Sequence, residues 1–149
     1  MTLIEDLSQI YTRELDSLKK EICAYNQEQD LWKKAGEINN SAGHLVLHLI
    51  GNLNHFIGTH IGKTGYQRAR AREFSSQDIP REELLLQIDQ TKEMIQSTLA
   101  QLSWEDLEQG YPEEWRQQKR SLRFMLIHLI AHLNYHLGQI NYHRRLIHS

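Results

Sequence analysis

The sequence lacks the features of a secreted or membrane-spanning protein. It has one cysteine, Cys23, so no internal disulfide can form, as is usual for proteins of a reducing cytoplasm. Residues 1–6 carry acids where a signal peptide would carry basic residues. The longest apolar run, residues 122–133, is too short for a bilayer and contains Arg123 and histidines. We therefore expect a cytoplasmic protein that has no membrane partner.

The chain also lacks an excess of positive charge. Its formal net charge is −2, which leaves no surplus of lysine and arginine to neutralise phosphates, so nucleic acid is not an expected partner. Hydrophobic residues make up 40% and charged residues 24%, as in an ordinary globular protein. The length of 149 residues is that of one domain, which we assign to residues 1–149.

No stretch shows the alternation of a β-strand, whereas four stretches repeat apolar residues every three or four positions. Thr2 with Glu5 forms a capping-box pattern, Ser41 suits an N-cap, and Pro80 suits the first position of a helix. Ser103 with Asp106 predicts one further short turn. The fold class is therefore all-α, a four-helix bundle, with helices predicted over about residues 2–27, 42–61, 80–102 and 121–147.

Long connections separate these helices, and the second contains arginines at alternate positions. Links of this length do not require hairpins and permit parallel neighbours, as in bundles with crossover connections. Arg68, Arg70 and Arg72 would point to one side of an extended chain and could hold an anion there; otherwise they belong to a solvated loop. The sequence leaves both interpretations open.

The last predicted helix carries a stripe of histidines. At ~100° per residue, His128, His132, His136 and His143 fall within about 80°, in the middle of the apolar face. They are either hydrogen-bonded packing residues or metal ligands. Burying several imidazoles leaves many ring nitrogens to satisfy, and two histidines spaced i, i+4 can bind one ion. We therefore favour a metal site.

A second polar stripe lies on the second predicted helix. His44, His48, Asn52 and His55 share one side of it. This helix contains several glycines, although alanine would stabilise a helix more. The glycines therefore indicate either close helix packing or room for a bound group. On the first helix, we expect Cys23 to be a buried packing thiol.

Absent motifs narrow the chemistry of such a site. There is no His-Glu-x-x-His of a zinc protease and no Glu-x-x-His of a ferritin-like site, and neither histidine-bearing helix contains a carboxylate. Imidazole ligands suit Zn²⁺ and Ni²⁺, and copper, iron or manganese could also bind. Two histidines from the last helix and one from the second would leave open positions on a strongly Lewis-acidic ion. Such an ion could ionise water for hydrolysis or a thiol for attack on an electrophile.

Two segments resemble a known family, namely Ser-Ala-Gly-His-Leu-Val-Leu-His-Leu-Ile-Gly-Asn-Leu at 41–53 and His-Leu-Asn-Tyr-His-Leu-Gly-Gln-Ile at 132–140. Both resemble the DinB-like (DinB/YfiT-like) superfamily of small bacterial four-helix bundles, and the resemblance extends over the whole chain. It implies a divalent metal held by His48, His132 and His136, an up-down-down-up bundle and frequent homodimers. It also implies metal-dependent transfer of low-molecular-weight thiols, such as bacillithiol or mycothiol, or isomerisation that uses them.

The chain departs from the family pattern in two respects. It has an excess of histidines, and by their headings His44, His55 or His128 could replace a ligand, so the choice of His48 is the less secure one. Leu137 stands where the family usually has an arginine, which weakens the expectation of a substrate anion at that position.

The leading hypothesis is a metal-dependent low-molecular-weight-thiol S-transferase or hydrolase that uses Zn²⁺ or Ni²⁺. Asn52, His128 and Gln139 are candidates for contacts with the ligands or the substrate, whereas no general base can be named. The alternative is a non-catalytic dimeric bundle with a structural or incidental metal site.

Overall fold

Most helices begin at the side chains that the sequence marks as caps. In the computed structural model, which describes residues 1–148, the Thr2 hydroxyl accepts from the Glu5 amide while the Glu5 carboxylate accepts from the Thr2 amide. Ser41 and Ser121 cap their helices through one such bond each. The helices are α1 (Leu3–Cys23), α2 (Ala42–Leu53), α3 (Arg70–Ser75), α4 (Arg81–Ala100), α5 (Trp104–Leu107) and α6 (Leu122–Ile147).

Two irregular helical segments complete the secondary structure. A 3₁₀ turn spans Glu28–Trp32, and a π-helical segment, Asn54–Thr59, continues α2. Residues 1–148 contain isolated β-bridges but no β-strand, so the all-α prediction is confirmed. No helix among these residues has both the length and the apolar character needed to cross a membrane.

Three details differ from the sequence prediction. Pro80 is the N-cap of α4 rather than its first residue, because its ψ of 141° is extended. Cys23 is exposed at the end of α1, so its prediction as a buried packing thiol was wrong. The segment with alternating arginines is not extended, since Arg70 and Arg72 lie in the short helix α3.

Contacts along the long helices establish the topology. α1 and α4 are antiparallel, since Lys19 contacts Asp89 while Lys92 contacts Asp16. α1 and α6 are parallel, since the Tyr11 hydroxyl donates to the Leu126 carbonyl and, further along both helices, Asn141 donates to the Glu21 carboxylate.

The remaining pair completes the arrangement. Asn54 donates to Thr91 at 2.9 Å, and Gly62 lies beside Thr98, so α2 with its π-helical continuation runs parallel to α4. The bundle is therefore up-down-down-up, and α2 packs between α4 and α6. This topology requires the long connections seen in the sequence.

The core is built from one apolar face of each long helix. Its fully buried members include Leu18 of α1, Leu49 of α2, Ile88 of α4 and Leu129 of α6. The apolar face of α6 is wider than the buried surface, because Phe124 and Tyr135 are exposed. The histidine stripe of α6 consequently lies at the edge of the core rather than at its centre.

Candidate metal centre

Three imidazoles from two helices meet at one point on the edge of the core. His48 comes from α2, and His132 and His136 come from successive turns of α6. The Nε2 atom of His132 lies 3.2 Å from Nε2 of His48 and 3.1 Å from Nε2 of His136. All three ligand atoms lie within 4.8 Å of one another. The structure thus brings together the three histidines that the resemblance implies as ligands.

These separations suit a common metal ion. Imidazole nitrogens bind Zn²⁺ at about 2.0–2.1 Å, and two ligands of a tetrahedral ion at that distance are about 3.3 Å apart. The 3.1 Å and 3.2 Å separations are close to this value. One cation can therefore contact the three nitrogens with only small side-chain adjustments.

Hydrogen bonds at the other ring nitrogens fix which atoms face the centre. Nδ1 of His136 lies 2.7 Å from Oε1 of Gln139, and Nδ1 of His48 lies 3.1 Å from Oε1 of Glu73. Both oxygens are acceptors, so both Nδ1 atoms carry the proton and both Nε2 atoms present lone pairs. Arg68 Nη2, 3.3 Å from Nδ1 of His48, already donates to the same Glu73 oxygen at 2.9 Å.

The Nε2 lone pairs of His48 and His136 both face Nε2 of His132. A neutral His132 has at most one proton on this nitrogen, so it could donate to only one of them. Its own Nδ1 atom is buried and has no hydrogen-bond partner. At least one pair of nitrogens therefore meets lone pair to lone pair, which is unfavourable unless a cation lies between them. This observation supports the fit of a metal ion to these residues.

The protonation states are those that metal ligands need. Burial, and after it the neighbouring His136 and His48, lower the pKa of His132 to about 4. Burial also lowers the pKa of His136. At neutral pH both rings are uncharged and keep the lone pairs that bind metals.

Glu73 is part of the centre, although the sequence analysis did not find it. Its carboxylate is 6% exposed and accepts from Arg68 Nε at 2.8 Å as well as contacting His48. Burial alone would raise the pKa of Glu73, but the hydrogen bonds from His48 and Arg68 and the charge of Arg68 lower it overall. A carboxylate from α3 therefore supports the site from outside the three ligands, although neither histidine-bearing helix carries one.

Two sequence signals could have revealed Glu73. It is the only acid between residues 38 and 77, within a stretch that is otherwise basic. Gly51 of α2 faces it, and a Cβ at position 51 would collide with the Glu73 carboxylate. The glycines of the second helix were predicted to allow either close helix packing or a bound group. At Gly51 the space is occupied by the Glu73 carboxylate.

The other histidines have different partners. Nδ1 of His44 lies 2.9 Å from Ser41 Oγ, and Nε2 lies 2.8 Å from the Ser76 carbonyl. His143 contacts the Tyr25 hydroxyl and the Lys33 carbonyl, each at 2.7 Å. Both rings use both nitrogens within the protein and are packing residues. Of the helix-two candidates, His48 is the one that joins the centre.

His55 and His128 lie outside the three-histidine cluster. His55 is next to His60 and Glu113, in a separate group. His128 packs against Trp115, with ring centroids 4.4 Å apart. Neither residue replaces His48 as a member of the cluster.

Two cavities border the cluster. One, of about 390 Å³, includes His48 and His132 in its wall; the other, of about 470 Å³, includes His136 and Gln139. The first is also lined by the candidates Asn52 and His128 and by Arg68, Arg70, Trp115 and Arg116. Oδ1 of Asn52 is buried and has no hydrogen-bond partner, so it is available to a group bound in this cavity.

A family model described as the DinB superfamily matches residues 12–140. The matched range contains the whole three-histidine cluster and also Glu73. No curated protein matches the chain.

Proposed function

The chain belongs to the DinB superfamily, and we propose from this premise that it is a metal-dependent enzyme whose ligands are His48, His132 and His136. The observation that carries the proposal is the convergence of their Nε2 atoms, two of which have their protons held on the opposite ring nitrogen. We propose Zn²⁺ or Ni²⁺ as the ion, because the donor set consists of imidazoles.

The residues around the cluster prepare it for catalysis. Glu73 and Gln139 orient His48 and His136 through their Nδ1 atoms, which fixes the tautomer that binds metal. Arg68 in turn holds Glu73 ionised and in place. When bound, the ion supplies Lewis acidity that lowers the pKa of a thiol or of water.

The two cavities favour a transferase over a hydrolase. A thiol S-transferase must hold a thiol and an electrophile at the same time, whereas a hydrolase needs room for one substrate and water. Separate cavities reach the cluster beside His48 with His132 and beside His136. We therefore propose transfer of a low-molecular-weight thiol as the leading activity and hydrolysis as the second.

The cavity beside His48 suits an anionic substrate. Arg70 and Arg116 lie against the rings of Phe74 and Trp115, and neither arginine forms an ion pair with any of residues 1–148. Arg68, in contrast, is neutralised by Glu73. A carboxylate or phosphate on the substrate would supply the missing counter-charge. The proposed location is the cytoplasm, where both the thiol substrate and Cys23 would stay reduced.

Metal analysis tests the ligand assignment. We expect His132→Ala and His136→Ala each to lose one equivalent of bound metal relative to the wild type, whereas His148→Ala, outside the cluster, should not. The same preparations, loaded with Zn²⁺ or Ni²⁺, are then assayed with several thiols and electrophiles. Turnover should disappear on chelation and in both ligand variants.

Two results would contradict the proposal at different levels. Equal metal content in all four proteins would remove the metal site and the enzyme together. Metal that is lost from the ligand variants, with no turnover by any loaded protein, would favour the non-catalytic bundle instead.

A further inference from the structure

A second group of possible ligands depends on the π-helical segment after α2. His55 and His60 are five residues apart, and in an α-helix such residues point about 140° away from each other. Here the backbone hydrogen bonds span five residues, as in a π-helix, instead of four. The His60 amide accordingly donates to the His55 carbonyl at 3.3 Å. The two imidazoles consequently lie side by side, with centroids 4.7 Å apart and ring planes at 89°.

Glu113 reaches this pair from the connection between α5 and α6. Its Oε1 atom lies 2.8 Å from Nε2 of His60, and its Oε2 atom lies 3.7 Å from Nε2 of His55. The connection is held against the π-helical segment by Tyr111, whose hydroxyl donates to the Phe56 carbonyl at 2.7 Å. The chain is thus anchored to the π-helical segment two residues before Glu113.

The contact between His60 and Glu113 is not an ordinary hydrogen bond. Nε2 of His60 is buried and has no hydrogen-bond partner, although the carboxylate oxygen is within 2.8 Å, so the oxygen lies off the direction in which the ring could donate. All three donor atoms lie within 4.8 Å of one another. A buried nitrogen and a close carboxylate without a proper hydrogen bond are the arrangement expected around a cation.

We propose that His55, His60 and Glu113 bind a second divalent cation of the kind held by two imidazoles and one carboxylate, such as Zn²⁺ or Fe²⁺. The separations of 2.8 Å and 3.7 Å, which involve the two oxygens of the same carboxylate, lie on either side of the ~3.3 Å expected between ligands of a tetrahedral ion. Glu113 is exposed, so solvent can reach the remaining coordination positions. No residue is shared with the three-histidine cluster.

The competing interpretation is an ion pair between protonated histidine and Glu113. The geometry does not suit such an ion pair, because Oε1 of Glu113 lies off the direction in which Nε2 of His60 could donate, and Oε2 lies 3.7 Å from Nε2 of His55.

A cation at this position would connect two parts of the chain that shape the first cavity. The connection that carries Glu113 continues to Trp115 and Arg116, which line the cavity beside His48. The π-helical segment contributes Phe56 to the same cavity. The second ion would therefore hold together two segments that line this cavity, although its own ligands do not line the cavity.

To test the proposal, protein stripped of metal with a chelator is titrated with Zn²⁺ in a calorimeter. The comparison is made in the double variant His132→Ala, His136→Ala, so that the result does not depend on the three-histidine site. In that background we expect one Zn²⁺ per chain. Adding Glu113→Gln or His60→Ala should weaken its binding by more than the roughly 10–100-fold that loss of an outer partner costs.

Glu114→Gln is the matched control, because Glu114 is an exposed neighbour outside the group. It should bind Zn²⁺ as its parent does. Equal zinc affinity in the Glu113→Gln, His60→Ala and Glu114→Gln proteins would overturn the proposal, as would the absence of zinc binding in the parent double variant. Glu113→Gln is a surface change that preserves the fold, so it decides the question if circular dichroism shows that His60→Ala is unfolded.

Discussion

At the scale of single residues, the second nitrogen of each imidazole separates ligand candidates from packing residues. His44 and His143 use both nitrogens within the protein. His48 and His136 use Nδ1 and leave Nε2 facing the common centre. The sequence could predict that these residues share helix faces, but not this distinction, because the partners come from segments far away in the chain.

Glu73 should control the affinity of the three-histidine site. In Glu73→Gln, the charge that orients His48 is lost, so metal binding should weaken by about 10–100-fold. Arg68, whose side chain is only 12% exposed, also loses its counter-ion, which should destabilise the metal-free protein by up to about 3 kcal/mol. Chelator competition measures the affinity and urea unfolding measures the stability.

Glu93→Gln provides the control, because Glu93 is exposed on α4. It should change neither quantity. A Glu73→Gln protein that binds metal as tightly as Glu93→Gln would show that the carboxylate does not support the ligand.

His132 should make the metal-free protein acid-sensitive. Its pKa is about 4 in the folded chain but ~6.5 when unfolded, so between these values only the unfolded chain binds the proton. The free energy of unfolding therefore falls as the pH is lowered from 6.5 to 4 and is recovered above 6.5. Replacing His132 by Gln should reduce this fall by about 1–2 kcal/mol, allowing for partial solvent screening.

The measurement is urea unfolding at several pH values in the presence of a chelator. His148→Gln, for comparison, should retain the wild-type pH dependence. If His132→Gln and wild type lose stability in parallel down to pH 4.5, buried neutral His132 is not the source of the effect.

At the scale of elements, the sequence predicted the helices whose signals are local. Capping side chains and apolar periodicity placed α1, α2, α4 and α6 and the short α5. The π-helical turn was missed, because apolar periodicity does not mark it; in the structure this segment packs against α4. α3 was missed because six residues are too few to show a periodic face; its orientation depends on Glu73 and Arg68 meeting α2.

Gly51 of α2 packs against Glu73 of α3. We expect its replacement by alanine to lower the stability of the protein, although alanine favours a helix more than glycine does. Alanine normally stabilises a helix interior by about 1 kcal/mol relative to glycine. At position 51, however, the added Cβ would collide with the Glu73 carboxylate, so Gly51→Ala should lower both the stability and the metal affinity.

Gly138→Ala on α6 is the matched substitution, because a Cβ there meets no other atom of the same chain within 4 Å. Since Gly138 lies on the exposed side of α6, both variants are compared at a protein concentration low enough for the chain to be monomeric. It should raise the free energy of unfolding by about 0.5–1 kcal/mol. Denaturant unfolding of both variants gives the comparison. Stabilisation of similar size by Gly51→Ala would mean that α3 can move away from α2 at little cost.

At the scale of the whole molecule, the topology of the bundle was predicted better than which side of α6 is exposed to solvent. The up-down-down-up topology follows the resemblance and the long connections. The apolar periodicity predicted that the histidines lie in the middle of a buried face, whereas apolar residues on one side of them are exposed. Periodicity identifies an apolar face but does not tell which part of it meets the chain's own core and which part meets another surface.

The exposed part of this face supports the homodimer that the resemblance implies. Phe124, Ile127, Tyr135 and Tyr142, which we call the α6 strip, are exposed and fall within about 80° on the helix. Exposed aromatic residues in a continuous strip are typical of interfaces. We propose that two copies of the chain pack α6 against α6 through this strip, each closing the cavity that contains Tyr135 and Tyr142 on the other.

A charge in the α6 strip should dissociate this dimer. In a twofold interface Ile127→Lys is present twice, and each unpaired charge should cost about 1–3 kcal/mol or more, so the dimer should weaken by at least about 30-fold. Leu86→Lys is the matched control, because Leu86 is 51% exposed on α4 and Ile127 is 50% exposed on α6. Light scattering with size exclusion at micromolar concentration should show a monomer for Ile127→Lys and a dimer for Leu86→Lys and wild type. A monomeric wild type, or dissociation by both substitutions, would contradict assembly through the α6 strip.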